Sequence, residues 1–382
     1  MTQVVRWTAA GEPGVPARWY SADGTPPPER IVTAEDTISV AAAHQLIGEG
    51  TAVLWRGDYP SARRLLAALD RRAERRPSAL VQTPAEAFRL HRREQARRAR
   101  LLGMLLIPYE GDWTIPLRRG PRAQDACTHA HGLCAGPGVG SLRELLGVIG
   151  AYEWRREGVE IPALGGDRIH PHYGVFSPVR GKYVDLVAET ELPAGDSAFD
   201  IGTGTGVLSA VLARRGVRRI VATDQEARAV DCARDNVARL GLADRIDVRH
   251  ADLFPAGRAH LIVCNPPWLP DRPRTPLDQA VYDPDSRMLH RFLDGLADHL
   301  EPGGEGWLIL SDLAERLGLR SRTELPDAIA AAGLRVLSRT VTKPCHPRAT
   351  DPSNPLHRAR AGEVMSLWRL GVASCCRFAA LK

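Results

Sequence analysis

The sequence predicts an α/β protein of two domains, a mainly helical one over residues 1–165 and one built on a largely parallel sheet over residues 166–382. Three observations carry this. The chain has 382 residues, more than one hydrophobic core usually organises. Gly/Pro-rich breaks fall at residues 132–140 and 158–171. Before them the apolar spacing is mostly helical, and beyond them short apolar runs alternate with amphipathic stretches, the pattern of a parallel-stranded α/β domain.

In chain order, the first thirty residues, closed by Pro26-Pro27-Pro28, read as an extended arm or loosely packed edge. Thr37 can cap a helix with Ile38, Ala41, Ala42 and Leu46 on one face, ended by Gly48 or Gly50, and residues 52–55 follow as a short strand. Helical periodicity returns at 61–69 and over 84–106. The longer run sets Arg89, Arg92, Arg93, Arg97, Arg98 and Arg100 around a stripe of Phe88, Leu101, Leu102 and Leu105. That face suits a polyanion, or plain solvation with arginine stems lying on apolar surface. Another helix starts near Ser141.

Past the breaks, residues 197–201, 219–223, 246–248, 260–264 and 307–310 read as successive strands, with helices separating the first three. A helical run carrying Met288, Leu289, Phe292, Leu293, Leu296 and Leu300 is stopped by Pro302-Gly303-Gly304. Residues 335–337 and 364–368 flank the loop 343–348 and read as an antiparallel pair at the sheet edge.

Composition narrows the class. Hydrophobic residues at 44% and charged ones at 25% are those of an ordinary globular chain, not a disordered or collagenous one. The residues from Met1 to Trp7 carry no apolar signal core and no later run is apolar long enough to span a bilayer, so a cytoplasmic protein with no membrane partner is expected. Seven scattered cysteines fit reduced thiols better than a disulfide framework. Cys127, His129, His131 and Cys134 lack a two-knuckle spacing, so no metal is expected, and Cys375-Cys376 is not a prenylation signal. The net charge of +6 permits an anionic partner such as RNA without naming one.

The chemistry concentrates at two motifs. Asp200-Ile201-Gly202-Thr203-Gly204-Thr205-Gly206 follows a predicted strand and opens a predicted helix, where the backbone must turn tightly and approach a ligand. A G-x-G-x-G run after an acid, in place of the dinucleotide G-x-G-x-x-G, favours S-adenosyl-L-methionine over NAD. Asp200 is expected to meet the cofactor's ammonium group, directly or through water. Asp224, about twenty residues on at the end of strand two, is expected on the ribose hydroxyls. Asp252, with Leu253 beside it after strand three, is expected at the adenine amino group.

Strand four runs straight into Asn265-Pro266-Pro267-Trp268. A planar amine or amide nitrogen shares its lone pair with a π-system and attacks poorly until hydrogen-bond acceptors pull on its hydrogens. Asn265 offers a side-chain carbonyl and is also expected to bind the cofactor; Pro266 offers a backbone carbonyl; Pro267 lacks a competing N–H. Trp268 can stack on the planar group.

These ordered motifs, over roughly residues 170–312, resemble the class I methyltransferases of the HemK/PrmC glutamine-methyltransferase and small-methyltransferase-domain group. The resemblance implies a Rossmann-like seven-stranded sheet, S-adenosylmethionine at the ends of strands one and two, and a target nitrogen at Asn265, Pro266, Pro267 and Trp268. It also likens His172 to Gly181 to a segment folded over the cofactor, with Tyr173, Phe176 and Arg180 lining the entrance. Residues 269–285 are a long Pro-rich loop of the kind that serves as a substrate lid, with Tyr282 its one aromatic. The glutamine enzymes usually carry tyrosine where Trp268 stands, and related enzymes methylate base amino groups or small molecules. The expected activity is N-methylation of a macromolecule, protein glutamine or RNA base. A small metabolite or natural product is the alternative acceptor, and a non-catalytic S-adenosylmethionine-binding protein the reading from another class.

Overall fold

A computed structural model describes residues 4–5, 16–74, 82–343 and 354–373. Most of the N-terminal arm, most of the predicted loop 343–348, Cys375 and Cys376 lie outside the described residues. The chain divides into two compact units, 1–82 with 89–156, and 83–88 with 157–382.

The N-terminal part, expected to be mainly helical, also carries a sheet of which only the strand at 52–55 is read from the sequence. Among the described residues this unit holds a six-stranded mixed sheet: β1 (Val4–Val5), β2 (Ala17–Tyr20), β3 (Arg30–Ala34), β4 (Thr51–Trp55), β5 (Leu105–Tyr109) and β6 (Gly138–Ser141), in the order β1-β2-β6-β5-β4-β3. Helices still supply more residues: α1 (Val40–Gly48), α2 (Tyr59–Glu74), α4 (Gln124–His131), α5 (Leu142–Glu157), and most of α3 (Pro84–Gly103), which begins in the second unit. The strands were hidden for local reasons. Leu105 and Leu106 continue the helical spacing of α3, yet they follow Gly103 and are wholly buried in β5. β6 is Gly-Val-Gly-Ser and reads as a break. Its glycines are needed there, since a Cβ on Gly138 would overlap the Tyr20 ring and one on Gly140 would stand 2.9 Å from Tyr109 Cε2. Trp19 on β2 is buried in the core with Ile31, Leu54 and Val139, so this part of the arm is integral sheet. Ser39, not Thr37, caps α1, its hydroxyl accepting from the Ala42 N–H at 3.1 Å.

The second unit has a two-stranded pair, β7 (Val159–Glu160) with β8 (Arg168–Ile169), and then the main sheet. Its strands are β9 (Ser197–Ile201), β10 (Arg219–Asp224), β11 (Ile246–His250), β12 (Ala259–Cys264), β13 (Leu300–Ser311), β14 (Leu334–Thr342) and β15 (Met365–Val372). They lie in the order β11-β10-β9-β12-β13-β15-β14, with β15 antiparallel to both neighbours and the rest parallel, which includes the antiparallel edge pair read from the sequence. The helices are α6 (Lys182–Glu189), α7 (Val207–Arg214), α8 (Ala227–Arg239), α9 (Arg287–His299), α10 (Leu313–Arg316), α11 (Glu324–Ala331) and α12 (His357–Ala361). Alternate residues of a strand feed opposite faces. Ala198, Leu261, Val263 and Trp307 join one buried cluster with α6, α7 and α8, while Phe199, Ile262, Cys264 and Leu308 join another with α9 and α11. Successive strands run outward from β9 through β10 to β11, and the chain then returns to place β12 on the other side of β9. At such a reversal the loops beyond the two strands diverge and leave a crevice at their carboxyl ends.

Candidate active site

Both motifs open into that crevice. Cys264 pairs with Ile201 in register, so the loops beginning at Gly202 and Asn265 leave neighbouring strands at the same edge. Gly202, Gly204 and Gly206 have φ of +72°, +57° and +79°, values that L side chains adopt only under strain. The Gly202 and Thr203 N–H groups both donate to Thr223 O at 2.9 Å, tying the loop to β10. A Cβ on Gly202 would come within 3.0 Å of Met288 Cε, whereas one on Gly204 would meet nothing within 4 Å. The backbone at Gly204 is therefore open to a close-approaching ligand.

Asp200 is 1% exposed and its Oδ2 accepts from Thr203 Oγ1 at 2.7 Å, Ser209 Oγ at 2.6 Å and Ser209 N at 3.1 Å. Burial pushes its carboxyl above the usual range, opposed by those hydrogen bonds. Asp224 accepts from Gly204 N and Glu226 N, each at 3.0 Å, and burial raises it too. Asn265 Oδ1 accepts from the Trp268 indole N–H at 3.0 Å. A carbonyl oxygen has two lone pairs, so one serves Trp268 and the second suits a substrate N–H. Pro266 is buried; Asn265, Pro267 and Trp268 are half-buried, and Trp268 packs against the apolar clusters of both sheet faces.

A family model described as the methyltransferase small domain matches residues 168–318. Over 171 residues the chain is 33% identical to the ribosomal protein L11 methyltransferase of Sorangium cellulosum, covering 44% of each chain. Over 95 residues it is 40% identical to a tRNA1(Val) (adenine(37)-N6)-methyltransferase of Vibrio parahaemolyticus, covering 24% of this chain and 40% of that one. Over 158 residues it is 30% identical to a putative protein N5-glutamine methyltransferase of Methanocaldococcus jannaschii, covering 39% of this chain and 79% of that one. The chain belongs to the methyltransferase small-domain family. The fold read from the sequence is this family's, and so is its cofactor, S-adenosyl-L-methionine. The chain spans less than half the length of the first two relatives.

Around this candidate site the other expected residues are placed as follows by the fold. Leu253, at φ +70°, lies just past β11, and its carbonyl accepts from Thr223 Oγ1 at 2.6 Å, which fixes it beside the Asp224 end of β10. The exposed Asp252 carboxylate takes two Arg291 nitrogens at 3.0 Å, an ion pair that leaves it acceptor capacity on the solvent side. The loop over 269–285 ties back on itself through Leu269 N to Val281 O at 3.1 Å and Asp283 N to Leu269 O at 2.9 Å, and the Tyr282 ring packs 6.5 Å from that of Phe88 in a cluster with Leu269, Leu313 and Leu317. Tyr173 has the Arg228 guanidinium 5.8 Å from its ring centroid, and Phe176 packs on the α6–α8 cluster. Arg180 ends the short turn Pro178–Arg180; its side chain lies outside the described residues.

Four residues that sequence reasoning missed hold the candidate site together. Ser209 on α7 anchors Asp200. Asn236 on α8 is buried, donating to Thr205 O at 3.0 Å and accepting from His170 N at 2.8 Å, and so joins the glycine loop to the segment before Tyr173. Asp283 caps α9, accepting from Met288 N and Leu289 N. An acid ahead of an apolar helical run was signal enough for that cap. Arg320 reaches Trp268 O from 52 positions away, and nothing local announces it.

Among the described residues no helix is long and apolar enough to cross a membrane, and no three His, Cys, Asp or Glu side chains group as a metal site. Of the Cys127–Cys134 set, Cys127 is buried, His129 stacks on Tyr152, His131 stacks on Trp113, and Cys134 reaches the Glu110 and Gly136 carbonyls.

Proposed function

We propose that the protein is an S-adenosylmethionine-dependent N-methyltransferase whose acceptor is a planar amine or amide nitrogen. The observation that carries this is the emergence of Asn265-Pro266 beside the open glycine loop, on adjacent parallel strands at the point where strand order reverses. Space over Gly204 and a carboxylate at each side of the loop fit the cofactor. Asp224 would hold the ribose hydroxyls. Leu253 would flank the adenine. Asp200 serves through a water or through the loop it anchors, since it is too buried for ready direct contact.

S-adenosylmethionine supplies a methyl carbon made electrophilic by its sulfonium sulfur. Asn265 Oδ1 and the Pro266 carbonyl accept the acceptor's N–H hydrogens, which turns the nitrogen lone pair towards the methyl and favours charge developing on nitrogen during attack. The Trp268 N–H orients the Asn265 amide, and the Trp268 ring borders the substrate plane. Exclusion of water falls to the lid over 269–285. Tyr173, Phe176 and Arg180 would line the entrance.

A protein or RNA acceptor is favoured by the relatives' printed substrates and by exposed Arg89, Arg93 and Arg100 on α3. The same helix supports a second reading. Arg92 is buried, Arg97 binds Glu94 and Ala73 O, and Arg98 pairs with Asp70, so half of the arginine face serves the fold, and a small amine remains the alternative acceptor. A cytoplasmic location accords with the free thiols of Cys127, Cys134, Cys232 and Cys264.

The test is to incubate the purified protein with methyl-labelled S-adenosylmethionine and extract from a strain lacking the gene, then divide the product between RNase, protease and small-molecule filtration. Label released by RNase or protease supports a macromolecular acceptor, and label passing the filter supports a metabolite. Calorimetric cofactor binding with no label transferred in any fraction returns the protein to the binding-only reading.

A further inference from the structure

We infer that Arg320 is a positioning residue for methyl transfer, one side chain that holds both ends of the substrate lid and through them the angle of the Asn265 carbonyl. The inference rests on the N-methyltransferase reading and adds to it a residue outside every motif.

Arg320 lies in the connection between α10 and α11, and its side chain is 1% exposed. Burying a guanidinium is costly unless its donors are used. Its Nη2 donates to Ser286 Oγ at 3.0 Å and to Trp268 O at 3.4 Å, Nη1 reaches Glu315 Oε1 at 3.5 Å, and Nε stands 3.6 Å from Glu324 Oε1. The two carboxylates neutralise the charge. The other two partners are the ones that matter, because Trp268 is the last residue before the lid and Ser286 the first after it.

The far end of the lid is under backbone tension. Asp285 and Ser286 sit at φ +57° and +53°, two consecutive non-glycine residues in the left-handed region, and Ser286 is 1% exposed. Such a joint persists only where its surroundings over-determine it. Here Asp283 O accepts from Ser286 N at 3.0 Å and Arg320 takes its hydroxyl. At the near end, the grip on Trp268 O fixes the main chain from which the indole reaches back to Asn265 Oδ1. The path runs from Arg320 to the Trp268 carbonyl, from the Trp268 indole to Asn265, and from Asn265 to the acceptor nitrogen. A purely structural arginine would stabilise the unit without selective effect on turnover.

The experiment uses full-length protein labelled with 5-fluorotryptophan, the Trp268 resonance being assigned by Trp268→Phe. In Arg320→Met the Trp268 resonance should shift, S-adenosylmethionine affinity by calorimetry should stay within about twofold, and kcat on the labelled acceptor fraction should fall by about 100-fold, as for a misplacement of roughly 1 Å. Arg320→Lys, which keeps a donor for Trp268 O, should recover at least about a tenth of wild-type kcat. If Arg320→Met does not fold, Ser286→Ala decides, since it removes one end of the grip without stranding a buried charge; a shifted Trp268 line and a several-fold lower kcat at unchanged cofactor affinity are expected. A folded Arg320→Met, or Ser286→Ala, with Trp268 at its wild-type position and wild-type turnover overturns the inference, as does parallel loss of affinity and kcat. If wild type transfers no methyl group to any fraction, the functional reading fails, and the fluorine line alone still decides whether Arg320 positions Trp268.

Discussion

In the first unit Gly138 and Gly140 sit within β6 and give their space to the rings of Tyr20 and Tyr109; in the second, Gly202, Gly204 and Gly206 lie beyond β9, and the space over Gly204 is open. The buried acids differ in the same sense. Asp58, just after β4, receives a forked pair of hydrogen bonds from Arg119, which holds its carboxyl below the usual range. Asp200 is met by two hydroxyls and an amide, and burial holds its carboxyl above that range. Glycine inside a strand records a neighbour already in place, while glycine after a strand leaves room for one. An acid paired within the fold serves stability, whereas one held at a ligand loop carries a cost that binding can offset.

This division between units can be broken by experiment. The largest effect is expected at Asn265→Ala, which should cut turnover by about 10²–10³-fold while calorimetry finds cofactor affinity unchanged, because the lost acceptor is needed only as the nitrogen attacks. Equal rates for variant and wild type would remove the catalytic assignment. Next come the glycines. Gly204→Ala should weaken S-adenosylmethionine binding by at least about tenfold with a small loss of stability, since a Cβ there occupies ligand space at φ +57°. Gly138→Ala should do the reverse, costing about 1–3 kcal/mol or more through overlap with the Tyr20 ring and leaving the affinity of folded protein intact. Denaturant titration beside calorimetry reads both, and an affinity loss at Gly138→Ala without a stability loss would contradict the contrast.

The acids give a smaller effect with a definite sign. Asp58 has a lowered folded pKa, so its contribution is present above the ordinary carboxylate value near 3.9 and is lost as pH falls through the folded value. Asp200 has a raised one, so the folded state loses stability as pH climbs from the ordinary value through the raised one. Asp58→Asn should therefore lower Tm at neutral pH and flatten the acid limb of a Tm-against-pH profile. Asp200→Asn should leave neutral Tm nearly unchanged and weaken cofactor binding. A large Tm loss at Asp200→Asn would show that this acid, too, is spent on the fold. Smallest is the surface effect: replacing Arg89, Arg93 and Arg100 with Ala should reduce the salt dependence of methylation by up to about three in the log–log slope if the acceptor is a polyanion. Salt-independent turnover, unmoved by the triple change, would favour the small acceptor.

What could be read in advance follows the same line between units. β9 to β12 are short runs bounded by glycine, proline and acids, so pattern and position agree, while β13 was legible only over 307–310, its start at Leu300 and Pro302-Gly303-Gly304 having read as a helix end and stop; the cofactor and nitrogen motifs fall at strand ends where the fold needs them. In the first unit the signals conflict. Leu105 keeps helical phase with Leu101 but belongs to β5, and the glycines of β6 mimic a loop until Tyr20 and Tyr109 are seen beside them. At the site, residue types were legible and long-range partners were not: Asp252 finds Arg291 39 positions away, Tyr282 finds Phe88, and Arg320 finds Trp268.

β14 ends the main sheet among the described residues, and from Arg335 to Val341 every residue of it is exposed. An outer strand of this length, exposed among the described residues, offers amides and carbonyls that another extended chain could zip onto. Two features make it a poor template. The pairing with β15 slips between Val336 and Ser338, kinking the outer row, and Arg339 lies over the Trp368 ring at 4.4 Å while donating to Ser366 Oγ, so a bulky cation covers the strand next door. Irregularity and charge thus make this rim a poor template for an added strand, and straightening β14 or neutralising Arg335 and Arg339 is expected to make it a better one.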